Sequence, residues 1–370
     1  MGTGGGASGL EADLCALLED WADRAVVGEP GRAGVPGVVF AVAGRARVLV
    51  CRGLADPTAR RAMTAKTSFH LGSLGKPVAT LGVLKLCTER GWSLDTPVMD
   101  LVSSWSFDAD QANGFEPREI TLRQVLSHTS GAPHGRYRRL KWRTPVPPPG
   151  ALLDGALGRA TRLKLAHRPG TLAEYTAFAF PLLELVIEDQ TGVRFPRWMR
   201  ERVLGPLGAG GIDYVPGEAL FGELAVGHRE RGAAVRPCRT VFASSGLFGR
   251  PMALAKILAS TMTGEAGRPR GAGVIDPALI DEMLRPQART ALGDEWGLGV
   301  MCSDLAGRPG FRHGGWLRGW FSIAQGFQDD GIVVVVSSNS MAFKGWARAL
   351  MRSVGEVVAK HAATDQPTAA

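Results

Sequence analysis

At 370 residues, with 45% hydrophobic and 21% charged residues, the chain has the apolar content for a sizeable core and is not a disordered polyelectrolyte. Its net charge of +8 comes mainly from scattered arginines, with one cluster in HGRYRRLKWR (His134 to Arg143). With no zinc spacing, no RNP-like motif and no basic stripe interleaved with aromatics, nucleic acid is not an expected partner, and no apolar run approaches the ~20 residues of a membrane span.

The chain opens on MGTGGGASG, which lacks the basic start and apolar stretch of a signal peptide, and residues 1–9 are read as a flexible tail. From Leu10 to Val26, the residues Leu10, Leu14, Leu17, Leu18, Trp21 and Ala25 recur at helical spacing. GVVFAVAG and RVLVCRGLAD read as a hairpin turning between Gly44 and Ala46. SFHLGSLGKPVATLGVLKL predicts a helix from about Leu74 to Leu86, with Leu74, Val78, Leu81 and Leu84 or Lys85 toward the core. From about Pro77 to Leu284 helical segments alternate with Gly/Pro-rich loops. Among them are LRQVLSH, AFPLLELVIEDQTG and PMALAKILASTMTG, the last two ending on a glycine that suits a helix stop. Strand character returns in WGLGVMCS, WFSIAQGF and GIVVVVSSNS. FKGWARALMRSVGEVVAKHA closes the chain as an amphipathic helix with Trp346, Leu350, Val354 and Val358 on one face, and residues 364–370 are read as a second tail. Cys15, Cys51, Cys87, Cys238 and Cys302 are odd in number and widely spaced, and read as reduced, mostly buried thiols of a cytoplasmic protein.

Strands at both ends and helices between them predict an α+β fold. One antiparallel sheet is built from both termini, flanked by the terminal helices on one face and by a large inserted, mainly helical region on the other. The expected lobes are 10–75 with 290–363 for the sheet and 76–289 for the helices, with a site between them.

Ser73 and Lys76 lie three apart and share one helical face. A lysine near a core is costly unless it is paired or neutral. A serine hydroxyl is a weak nucleophile that needs a base within hydrogen-bond reach; burial disfavours an ammonium, so a lysine one turn away can be that base. The helix start adds free N–H groups, that of Ser73 among them, able to hold an oxyanion. The same residues also suit an N-cap serine followed by a lysine that snorkels to water. S-x-x-K by itself does not separate the two.

Further fragments follow in order: ITLRQVLSHTSGAP (Ile120 to Pro133), HRPGTLAEYTAFAFPLLELVIEDQTG (His167 to Gly192), ASSGLFGRPMALAKIL (Ala243 to Leu258) and FRHGGWLRGWFS (Phe311 to Ser322). With SLGK, this series resembles the serine β-lactamase and penicillin-binding-protein superfamily, and within it the class C β-lactamase-like branch of esterases and acyl transferases. The resemblance runs from Val35 to Asn339. It implies a β-lactamase/transpeptidase-like fold, an acyl-enzyme on Ser73 and no metal or cofactor. It makes Lys76 the proton partner of Ser73, Tyr175 the general base or part of it, and His313 a group that positions substrate or tunes Tyr175. The N–H of Trp316 would be the second oxyanion donor, and Gly314 and Gly315 would let substrate approach the strand. His128 is expected to be structural. His134 and Trp142 are expected to line the substrate pocket, and Trp142, Trp316 and Trp320 to shield the acyl-enzyme from water.

The family's Y-x-N reads YTA here, so Ala177 stands in place of asparagine, and HGG stands where β-lactamases carry K-T-G. Both changes weaken β-lactam recognition, and the first leaves Lys76 one partner short. The resemblance thus implies acyl transfer from a small ester, thioester or amide: hydrolysis if water takes the acyl group, transacylation if an amine or alcohol does. The Ala/Arg/Gly-rich composition suggests bacterial specialised metabolism such as antibiotic biosynthesis, and the basic loop suggests an anionic substrate or an acidic carrier protein. A β-lactamase or D-aminopeptidase-type hydrolase, and a non-catalytic binding protein on the same scaffold, stay open.

Overall fold

The computed structural model describes residues 9–262 and 270–364. The expected tails lie outside the described residues, except that Gly9 opens the first helix and Thr364 closes the last. The hairpin of Gly37–Gly44 and Val48–Asp56 forms as expected, and Gly37–Gly44 pairs on its other side with the last strand, Ile332–Ser338. Val38 stands opposite Ser338 and Gly44 opposite Ile332, so the two ends of the chain meet at the middle of one sheet. The antiparallel order continues through Trp320–Phe327, Arg308–Leu317, Met301–Leu305, Glu295–Trp296 and Ala288–Arg289, and Arg61–Ala62 closes the other edge.

The central strands are apolar without alternation because both faces are covered. Val38, Phe40, Val42, Val334 and Val336 pack against Leu14, Leu18 and Trp21 of the Gly9–Val27 helix and Trp346, Leu350, Val354 and Val358 of the Lys344–Thr364 helix. Trp21 and Trp346 meet edge to face at 6.3 Å. Val39, Ala41, Val333 and Val335 face the inserted region, whose Pro251–Ala259 helix lies on the Gly37–Gly44 and Ile332–Ser338 strands.

Several expectations change. WGLGVMCS is not one strand: Gly297 N–H bonds to Val300 O at 2.9 Å and turns the chain between Glu295–Trp296 and Met301–Leu305. The helix expected over Leu74–Leu86 runs Gly75–Arg90 and is buried around most of its circumference from Gly75 to Leu84, not along one face, because other inserted helices, Phe242–Ser245, Pro251–Ala259 and Phe180–Thr191 among them, pack around it. AFPLLELVIEDQTG forms Phe180–Thr191, closed by Gly192 at φ +66° as read. PMALAKILASTMTG ends earlier, at Ala259; Gly264 lies outside the described residues. The inserted region also contains short β-ribbons, such as Leu140–Lys141 with Cys238–Arg239. The cysteines are free, but only Cys87 is buried and the other four are half-buried.

Candidate active site

Gly72, at φ +56°, carries the chain from the Phe69–Gly72 strand into the turn that precedes the Gly75–Arg90 helix. A Cβ at Gly72 would lie 3.0 Å from the backbone nitrogen of Trp316, so the two backbones are in contact beside Ser73. The N-cap position is Leu74, with no side-chain cap, and the N-cap reading of Ser73 therefore fails. The half-buried Ser73 hydroxyl instead faces Lys76 Nζ at 3.4 Å. Lys76 does not snorkel, since it is 1% exposed. Its Nζ donates to the carbonyl oxygen of Ser244 at 2.9 Å and stands over the ring faces of Tyr175 (4.8 Å) and Phe180 (5.1 Å). Among the described residues no carboxylate pairs with it, so its neighbours are neutral.

The backbone around Tyr175 is held from two loops. His128, at φ +62°, accepts the Glu174 N–H on its carbonyl (2.8 Å) and the Thr176 N–H on Nδ1 (3.3 Å). His134 donates from Nδ1 to the Tyr175 carbonyl at 2.7 Å. Around the Tyr175 ring stand His128 (4.6 Å between centroids), Trp296 (5.3 Å) and His313 (6.2 Å).

His313 lies on the Arg308–Leu317 strand, 3% exposed, and donates from Nδ1 to the Gly314 carbonyl at 2.9 Å. Past Arg312 this strand has no partner in Met301–Leu305, so Gly314 to Trp316 form an edge facing Ser73. A Cβ on Gly315 would fall 2.0 Å from the Leu71 carbonyl oxygen, so only glycine permits this approach. Burial, with the Lys76 charge adding to it, lowers the His313 imidazole to about 3. The same causes, with His313 added, push His128 well below its usual range. Both rings are neutral at pH 7. Because His128 Nδ1 is an acceptor, its proton sits on Nε2; because His313 Nδ1 is a donor, its Nε2 offers a lone pair. Both Nε2 atoms are buried without a partner among the described residues.

The structure thus brings Ser73, Lys76, Tyr175, His313, Gly314, Gly315, the Trp316 backbone and His134 to one place. Trp142 goes elsewhere: it stacks on Phe221 at 4.1 Å, meets Phe248 edge-on and carries Arg239 on its ring. The expectation that it lines the pocket finds no contact with Ser73, Lys76 or Tyr175. Trp320 is core and shields nothing, being 1% exposed with Nε1 donating to Ala225 O at 2.9 Å, whereas Trp316 is 49% exposed. Ala177 is buried, and the partner that Lys76 lacks there is supplied by the Ser244 carbonyl. Sequence reasoning missed three contributors: that carbonyl, Phe180 and Trp296. The SSGLF, AFPLLELVIEDQTG and WGLG fragments carry them. Among the described residues, no group of three or more His, Cys, Asp or Glu side chains could hold a metal, and no helix is long and apolar enough to cross a membrane.

Comparison with known proteins gives the family and the fold. The chain is 32% identical over 193 residues to esterase EstB of Burkholderia gladioli, covering 49% of this chain and 48% of the esterase. It is 26% identical over 296 residues to penicillin-binding protein 4 of Amycolatopsis lactamdurans, covering 75% and 74%. The solved structure of EstCE1, a hydrolase with promiscuous acyltransferase activity, superposes with a TM-score of 0.69 at 19% identity over 95% of this chain and all of that one, which shows the shared fold. The Beta-lactamase family model matches residues 22–354. A match of that length is no coincidence of local motifs, and the chain belongs to the Beta-lactamase family.

Proposed function

We propose that the protein is a serine acyl-enzyme hydrolase of the esterase or transacylase kind, with Ser73 as nucleophile and Lys76 and Tyr175 as its proton carriers. One observation carries the reading: a lysine 1% exposed has only neutral neighbours, and one of them is the Ser73 hydroxyl at 3.4 Å. The Ser244 carbonyl can only accept, so it takes one Lys76 N–H and holds Nζ facing the Ser73 hydroxyl, from which Lys76 receives the proton in this reading. Ser73 Oγ then attacks the substrate carbonyl carbon while the N–H groups of Ser73 and Trp316 hold the oxyanion. The C–O or C–S bond breaks as the Tyr175 hydroxyl gives its proton to the leaving group and takes back from Lys76 the proton that came from Ser73; water, an alcohol or an amine takes the acyl group in the second step. Loss of the base or of one oxyanion donor costs on the order of a hundredfold in rate. The site lies between a sheet lobe (10–75 with 290–363) and an inserted lobe (76–289).

The names of relatives support the class: one is an esterase, and one structural neighbour is a hydrolase with acyltransferase activity. The neutral His313 and the methyl of Ala177 favour esters or thioesters over β-lactams. The decisive experiment is intact-mass analysis after exposure to p-nitrophenyl esters, with and without added amines. Acyl mass on Ser73, absent in S73A, is expected; release as acid marks a hydrolase and release as amide a transacylase. Full turnover by S73A overturns the reading, and rapid nitrocefin hydrolysis would favour a β-lactamase.

An acidic carrier protein as donor is a second reading with its own support. Arg136, Arg138, Arg139, Lys141 and Arg143 are exposed and carry no ion pair among the described residues. Their segment starts at His134, bonded to Tyr175. The free cysteines suit a reducing, cytoplasmic setting.

A further inference from the structure

Ser244 holds Lys76 with a backbone carbonyl, so the position of that carbonyl depends on whatever fixes its short helix, Phe242–Ser245. A helix start leaves N–H groups without partners, usually satisfied by a side chain at the N-cap. Here the N-cap is Val241, which has no polar side chain. The Ala243 N–H is taken instead by Glu184 Oε1 at 2.8 Å, from the neighbouring Phe180–Thr191 helix. Glu184 is 1% exposed, a costly place for a carboxyl unless it does something there.

We propose that Glu184 is a positioning residue of the acylation centre. Its carboxyl anchors the Ala243 N–H and so sets the Ser244 carbonyl against Lys76 Nζ. The chain of contacts is short: Glu184 Oε1 to Ala243 N, one peptide onward to Ser244 O, 2.9 Å to Lys76 Nζ, 3.4 Å to Ser73 Oγ. Phe180, one turn before Glu184, covers Lys76 from the same helix, so this helix supplies both a wall and an anchor for the lysine.

The surroundings keep the carboxyl protonated through neutral pH. Burial raises it to about 8; the Ala243 N–H opposes this, Glu188 one turn along adds to it, and Arg194 weakly opposes it. The phenols facing it, Tyr137 and Tyr214, are both raised above the usual range, mainly by burial and further by Glu184. Lys76 stands beyond the Phe242–Ser245 helix, at the far end of the chain of contacts.

The inference rests on the acyl-enzyme reading, and single-turnover acylation of Ser73 by p-nitrophenyl acetate tests it. Rates are taken per fluorophosphonate-titrated site, with E184Q, E184L and E184D against the wild type. Gln keeps an oxygen where the Ala243 N–H needs it, Leu has none, and Asp falls one methylene short. E184L and E184D are expected to acylate about tenfold or more slowly with unchanged ester affinity, and E184Q to recover to within about threefold at pH 7. E184Q and wild type should run together below about pH 7 and part toward pH 9, where only the wild-type carboxyl ionises. Should E184L fail to fold, E184Q against E184D decides alone. Wild-type rates in E184D, or a Gln variant as slow as Leu or Asp, would overturn the inference while leaving Ser73 acylation standing. A wild-type protein that is never acylated would instead remove the functional reading itself.

Discussion

Two adjacent glycines on the strand edge should respond to alanine very unequally. At Gly315 a methyl would sit 2.0 Å from the Leu71 carbonyl oxygen and 3.0 Å from Leu74 Cγ. Roughly 1 Å of separation is missing, and the obstacle is backbone, which no rotamer change relieves. The Arg308–Leu317 strand would have to move away from the turn that presents Ser73. At Gly314 the methyl would meet only the Trp316 ring, at 3.0 and 3.5 Å, and that ring is half exposed and can tilt. G315A is therefore expected to lose about 1–3 kcal/mol of stability by overpacking. It should also lose about a hundredfold in Ser73 acylation, because the Trp316 N–H shifts by about the missing ångström. G314A should lose less than about 0.5 kcal/mol. Urea denaturation of both variants, with single-turnover acylation of G315A by p-nitrophenyl acetate, measures the contrast. Equal stabilities for the two, or G315A acylating at the wild-type rate, would refute the placement of the strand edge against Ser73.

Two further outcomes are expected. The His313 imidazole is lowered to about 3 against its ordinary 6.5, so the unfolded chain binds its proton first as pH falls. Its contribution to stability is whole above about pH 6.5 and declines toward pH 3, a loss of roughly 3 kcal/mol by pH 4 that H313Q should not show in urea titrations at pH 7 and pH 4. If a polyanionic protein docks on the 136–143 segment, acyl transfer from an acyl-loaded acidic carrier protein should fall several-fold between 50 and 200 mM salt, roughly as ~10 Å screening predicts, while turnover of p-nitrophenyl acetate stays flat. A salt-independent carrier rate would remove that partner.

The grouping of side chains at the candidate site was legible because the proposed chemistry needs particular residue types in a particular order. The roles proposed for Ser73, Lys76, Tyr175 and His313 are ones that few other residue types can fill, and the four side chains lie together, with Lys76 buried among them. Ser244 was not legible, because it acts through a carbonyl that any residue would supply. Trp320 was misread because proximity in sequence ignores the pleat: it pairs with Leu317, which points to the opposite face from Trp316. The packing of Trp142 was not legible, because its neighbours Phe221 and Phe248 come from distant segments. In the sheet, GIVVVVSSNS and GVVFAVAG were legible as runs of β-branched residues. The strand Arg308–Leu317, ten residues holding two adjacent glycines and two arginines, was named only through its histidine.

The two departures from the β-lactamase pattern share one physical consequence. An ammonium on this strand would offer a permanent cation to a carboxylate beside the scissile bond; the neutral His313 imidazole offers only a lone pair on Nε2. An asparagine two residues after Tyr175 would offer an amide to the acyl side chain and a second partner to the lysine; Ala177 offers a buried methyl. Lys76 keeps its neutral surroundings through the Ser244 carbonyl, so in the proposed mechanism the proton acceptor survives the loss while the polar grip on substrate does not. What remains is a centre equipped for the carbonyl chemistry common to the family and stripped of the groups that would recognise an anionic, amide-bearing ring. That is the physical ground for proposing esters and thioesters, whose leaving groups need less help than an amine, as its substrates.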